Sequence, residues 1–218
     1  MSIEYLLTLT RRILEQQIDR LRSAHEIVEA ALHKHEKGVD EWYQDRLAVV
    51  DEDEITDDGE FLGELFEEQK SDATVAFPLI LRSSLFATGY GVLEHFMNSV
   101  CKQAHVHLKG PALRDLRGEG IVRAQLYLTA VAKVAFPDTD EWQDLRDYGH
   151  LRNALVHAQG DLTDNDRAPR IEHLAQRTGS FTVATDKTRI ALAPTFNPRY
   201  LDTAWAFAEQ LEAAWRQR

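Results

Sequence analysis

Residues 150 to 161 read HLRNALVHAQGD, placing Arg152, Asn153 and His157 in a segment that otherwise looks like an apolar helix. A guanidinium is a permanently charged five-donor fork, and an imidazole exchanges a proton near neutral pH. At 100° per residue, with Trp142 as the origin, Leu145, Tyr148, Leu151, Leu155 and Val156 define an apolar arc. Arg152 falls at its centre, while Asn153 and His157 share one flank. An inward guanidinium needs a carboxylate, a set of carbonyls or a ligand phosphate, because an unpaired buried charge costs several kcal/mol. Glu94, in YGVLEHFMN with Tyr90 one turn earlier, lies at the flank of its own helix's apolar arc. It either meets a cation from a neighbouring helix or stays at the surface. The plainest alternative is that Arg152 pairs with Glu94 inside the core and His157 merely complements a helix C-terminus.

The elements that must position these residues follow from periodicity. Residues 3 to 37 lack proline and glycine, and apolar or histidine side chains recur from Leu7 to His35 at three- and four-residue intervals. This predicts one long amphipathic helix ended by Gly38. Pro78 is expected to open a second long helix reaching about Val106, with Gly89 and Gly91 tolerated because another backbone approaches closely. A third helix is predicted over Gly118–Phe136. Pro137 breaks the chain, Asp138 or Thr139 caps a fourth helix that runs to His157 or Ala158, and Gly160 stops it. SFTVAT and TRIALA read as a small hairpin turning at Asp186 and Lys187, and Pro198 opens a last helix with Leu201, Trp205, Ala208, Leu211 and Trp215 on one face. The expectation is an all-α helical bundle with a small β-hairpin before the C-terminal helix. It is read as a single domain, with a long N-terminal helix in 1–50, an acidic connector in 51–72 and a core in 73–218.

Charge and composition bound the function. The 218 residues carry 44% hydrophobic side chains and a net charge of −11, enough apolar content for one sizeable core. Segment 51–72, DEDEITDDGEFLGELFEEQKSD, holds eleven acids and one lysine, so nearly all the excess negative charge sits there. It reads as a solvated connector with a short helix at Glu60–Lys70; masking a basic surface or holding a basic partner is the sharper alternative. The rest is close to neutral, and 101–133 is basic through Lys102, Lys109, Arg114, Arg117, Arg123 and Lys133, so an anionic ligand is compatible. No secretory signal or membrane span is expected, which points to the cytoplasm. Cys101 is the single cysteine and has no identifiable catalytic partner. His33 with His35, and His105 with His107, are spaced onto different helix sides, so no metal site is expected. No glycine-rich phosphate loop is present, and no cofactor is implied.

An arginine, a polar residue, three more residues and a histidine at a helix end resemble the signature of the HEPN superfamily. The order of elements is also similar, with GYGVLEHF on the second helix, a KGP turn, AQLYL on the third, and then LRNALVHAQGD. The resemblance covers most of 75–218; the acidic insert fits least. It implies a HEPN-like bundle and a metal-independent endoribonuclease acting as a homodimer, with the arginine-to-histidine helices of two protomers facing each other. On that resemblance Arg152 holds the scissile phosphate, His157 is general base or acid for attack by the ribose 2′-hydroxyl, Asn153 orients them, and Glu94 and Tyr90 support. Arg152 and His157 diverge by about 140° on their helix, so a second copy would have to complete the site through the Arg152 face and part of the second helix. The setting implied is a toxin or phage-defence effector, with an antitoxin or a nucleotidyltransferase-type protein as a further partner. A non-catalytic module that binds RNA, nucleotide or a protein is the other reading within the same family.

Overall fold

The computed structural model describes residues 3–48 and 57–218; the start of the acidic run, 51–56, lies outside them. Helix α1 (Ile3–Leu47) does not stop at Gly38 but runs on past it. Tertiary contact outweighs the glycine penalty there: Val39 is buried, Lys70 bridges Glu36 and Asp40, and Tyr43 stacks on Phe66 at 3.9 Å between ring centroids. Phe66 and Lys70 belong to α2 (Asp57–Ser71), a helix wider than the Glu60–Lys70 expected and docked on the end of α1.

Helix α2 passes without a break through a π-helical turn (Asp72–Ala76) into α3 (Phe77–Leu108), so Pro78 sits inside a continuous helix rather than at its start. The Phe77 N–H bonds back five residues to the Asp72 carbonyl. That wider turn relieves the two problems a proline brings, a missing donor and a ring that crowds the preceding turn. Within this continuous helix one 18-residue window reaches a mean hydropathy of 1.3, enough by length and composition alone to cross a membrane. Of the two glycines in α3, Gly89 does admit a neighbour, because a Cβ there would stand 3.1 Å from Tyr200 Cε1. Gly91 does not; nothing lies within 4 Å of the same position.

Helix α4 (Gly120–Ala130) ends earlier than Phe136 because Lys133 turns left-handed and the Val134 N–H folds back onto the Leu128 carbonyl at 3.0 Å. Phe136 is thereby delivered edge-on to Trp142, at 4.8 Å. Helix α5 (Asp140–Ala158) carries the Arg152 segment. Thr139 holds its N-cap position, but the hydroxyl donates to Gln210 instead of capping. At the other end Gln159 and Gly160 are both left-handed, and the Gly160 N–H closes on the Ala154 carbonyl, a glycine stop of the expected kind. Helix α6 (Ala168–Thr178) was not expected at all, although Ala168, Ile171 and Leu174 form its buried side. Then come β1 (Phe181–Val183) and β2 (Ile190–Leu192), antiparallel with Thr182 opposite Ala191, and α7 (Phe196–Arg216).

The molecule is therefore mostly helical with one two-stranded sheet before the last helix. Helix α3 is the central member, packed against α1, α4, α5, α7 and β2. Phe86, Tyr90, Tyr148, Phe196 and Tyr200 interlock edge-to-face where α3, α5 and α7 meet. Each buried ring contributes about 1.5–3 kcal/mol by leaving water, so this cluster is the rigid floor on which α5 lies.

Candidate functional site

Helix α5 is rotated relative to the sequence expectation. Leu145, Asp147, Tyr148, Leu151, Ala154 and Leu155 are buried, while Val156 is 47% exposed. The buried arc is thus centred near about 200° from Trp142, and Arg152 sits on its border instead of at its middle. The cause is α6: Arg170 and Arg177 reach Asp147 at 3.6 and 3.7 Å and draw that side of α5 inward. Arg152 is half-buried, and Asn153 and His157 are exposed on the outward side.

Arg152 and Asn153 open into a cavity of about 290 Å³ between α3, the start of α4 and α5, which also holds Tyr90, Glu94 and His150. Two glycines make this space. Gly149 faces Tyr90, and a Cβ there would collide with the phenol oxygen. Gly120, at φ +53°, lets the Glu94 carboxylate approach, since a Cβ would lie 2.5 Å from Oε1. Both are requirements of close approach, and Gly120 is a requirement of backbone conformation as well.

The guanidinium is anchored from one side only. Arg152 Nη1 donates to Asn153 Oδ1 at 3.0 Å, and Nε is buried with no hydrogen-bond partner among the described residues. No carboxylate of the described residues lies within ion-pair distance of it, so the core pair with Glu94 does not form. Opposite charge is still felt across the cavity. Burial raises the Glu94 carboxyl above its ordinary value, and the positive Arg152 partly counters this. Burial raises the Tyr90 phenol further, helped by Glu94 and opposed by Arg152, so it stays a neutral hydrogen-bonding group. His150 is pushed down, first by burial and then by Arg167, with Arg170 and Arg146 in the same direction and Asp147 against. Arg146 and Arg167, like Arg152, have no ion pair among the described residues.

The structure brings Tyr90, Glu94, Arg152 and Asn153 together but leaves His157 outside the cavity, one turn beyond Asn153 on the exposed side. His150, Gly149 and Arg146 are the members that sequence reasoning missed. A glycine three residues before Arg152, in a helix that otherwise has no reason to carry one, was the available signal. An apolar groove of about 420 Å³ between α1 and α3, with Ile13, Val92 and Phe96, contains His95 but no arginine, so of these two the smaller cavity is the candidate for holding an anion. What it can do is hold an oxyanion against a partly desolvated guanidinium, with imidazole at hand for proton transfer. No family model, no curated protein and no solved structure matches this chain.

Proposed function

We propose that this protein is a metal-independent endoribonuclease of HEPN type, active as a homodimer and serving as a toxin or phage-defence effector in the cytoplasm. The observation that carries the reading is Arg152: a half-buried guanidinium, fixed by Asn153, with a buried Nε that is unpartnered and no carboxylate paired to it among the described residues. That guanidinium lines the cavity, and no acid of the described residues takes up its fork. The guanidinium is left for an external oxyanion, and a scissile phosphate matches its fork.

Internal attack by a ribose 2′-hydroxyl adds negative charge at phosphorus, which a preorganised guanidinium stabilises, and needs proton transfer near neutral pH, which imidazole provides. Such chemistry requires no divalent cation. The products are a 2′,3′-cyclic phosphate and a 5′-hydroxyl.

A second copy is the natural cover for this face. Val122 on α4, which lines the cavity, and Val156 on α5, one turn beyond Arg152, expose 49% and 47% of their surface. An isologous interface would bury them, and would bring groups of one α5 toward the cavity beside the other. The second reading is a non-catalytic module that binds RNA, nucleotide or a partner such as an antitoxin or a nucleotidyltransferase. The position of His157 outside the cavity favours it.

Incubation of total RNA and tRNA in chelator with wild type, Arg152→Ala and His157→Ala, followed by end-group analysis, separates the two. Cyclic-phosphate ends from wild type that both variants lose support the nuclease. Equal cleavage by all three removes the site, and RNA binding without turnover leaves the module.

A further inference from the structure

We infer that His150 is the base of this site, the group that takes the proton of the attacking 2′-hydroxyl, with His157 left to serve the departing 5′-oxygen. The inference rests on the nuclease reading and deepens it. An in-line displacement at phosphorus needs proton handling on two opposite sides, so one imidazole is not enough. Of the two on this helix, His150 is the one that lines the cavity with Arg152 and Asn153. His157 lies seven residues on, about 10.5 Å further along the same side of α5, and does not line the space that the guanidinium borders.

The surroundings of His150 suit a base. A base must be unprotonated before it acts, and the groups facing it from α5, α6 and the turn before α6 are Arg146, Arg170 and Arg167, with Asp147 the opposing acid and Glu94 and Glu119 across the cavity. Burial, and then these cations, lower the ring's affinity for a proton and so favour its neutral form. Arg146, which lines the cavity and has no ion pair among the described residues, is placed to receive a phosphate that flanks the scissile one.

The step balances without any added reactant. The 2′-oxygen bonds to phosphorus as its proton passes to the His150 ring nitrogen. The bond from phosphorus to the 5′-oxygen breaks, and that oxygen takes a proton from the imidazolium of the partner subunit's His157, which the isologous interface brings toward the cavity. Exchange with solvent returns both rings to their starting states.

Single-turnover cleavage of an oligoribonucleotide by wild type, His150→Gln and His157→Gln, each checked for an unchanged melting curve, tests the assignment across pH 5 to 9. His150→Gln should slow cleavage by about a hundredfold or more and abolish the limb in which rate rises with pH. A second substrate, a ribonucleoside 3′-phosphate ester with a nitrophenol leaving group, needs no acid. It should restore His157→Gln to near the wild-type rate and leave His150→Gln slow. If His150→Gln cuts within threefold of wild type, keeps its rising limb, or is itself restored by the nitrophenyl ester, His150 is not the base. If wild type cuts neither substrate, the nuclease reading fails, and this assignment with it.

Discussion

Arg152 keeps a permanent charge at a rim where, among the described residues, only Asn153 holds it, and substitution there tests function more than folding. Arg152→Ala should reduce RNA cleavage by about 10²–10³, the usual cost of losing one preorganised donor to a developing oxyanion. Arg152→Lys should recover little, because a single ammonium cannot reproduce the planar fork. Cleavage rates of both variants against wild type decide this. Gly149 is more a matter of space. Gly149→Ala should destabilise by about 1–3 kcal/mol as its methyl meets the Tyr90 oxygen. Adding Tyr90→Phe removes that oxygen, so the double variant should be more stable than the sum of the two changes, a coupling that urea titrations measure directly. At this scale the sequence was partly legible. Arg152, Asn153, Glu94 and Tyr90 were singled out and do share a cavity. His150 was passed over because a wheel built on apolar residues alone took Val156 as buried and saw no reason for Asp147 to be.

Between elements, polar clamps fix the geometry. Arg82 of α3 forks onto Glu29 of α1 at 2.8 and 2.7 Å and reaches the Leu192 carbonyl of β2 at 2.6 Å. Arg82→Met should cost about 2–4 kcal/mol, because it strips a largely buried carboxylate of both guanidinium hydrogen bonds and leaves it only His25 at 3.8 Å among the described residues. Helix α7 is tied down by two carboxyls. Glu141 accepts from Gln210, and Glu212 is held by Thr8, Arg11 and Arg216, which outweigh the effect of its burial. Both are depressed below the ordinary carboxylate value of 4.5. Groups depressed in the folded state add stability above that value and lose it as pH falls through their folded values. Docking of α7 should therefore weaken below about pH 4.5, with Trp205 and Trp215 fluorescence changing as it does. Gly38→Ala should do the reverse of harm: the position is open, and the helix interior gains about 0.5–1 kcal/mol. Helix periodicity found α1, α3, α5 and α7 because each has a long apolar face. It missed α6, a short helix opened by Pro169 in a run of charges whose burial depends on α5, and it ended α1 too soon because the partner that carries the chain past Gly38 comes from the acidic run.

For the whole molecule the proposal makes oligomeric state the informative quantity. Native mass spectrometry at micromolar concentration should give a dimer, and Val156→Asp should shift it to monomer with an unchanged melting curve, since that side chain is exposed within one chain. A dimer indifferent to Val156→Asp would move the interface elsewhere. Net charge is a poor guide here, because residues 51–72 contribute most of the negative excess while the cavity is bordered by Arg146 and Arg152.

The last ten residues of α1 and all of α2 stand apart from this interior. Among the described residues helix α2 packs mainly on α1 and on the π turn that follows it, with the Tyr43–Phe66 stack and the Lys70 bridges holding the pair. So thin a seam should open on its own, well below the free energy of global unfolding. Amide exchange would then register a two-speed protein: a hairpin that breathes, joined by one unbroken helical strut to a body that does not.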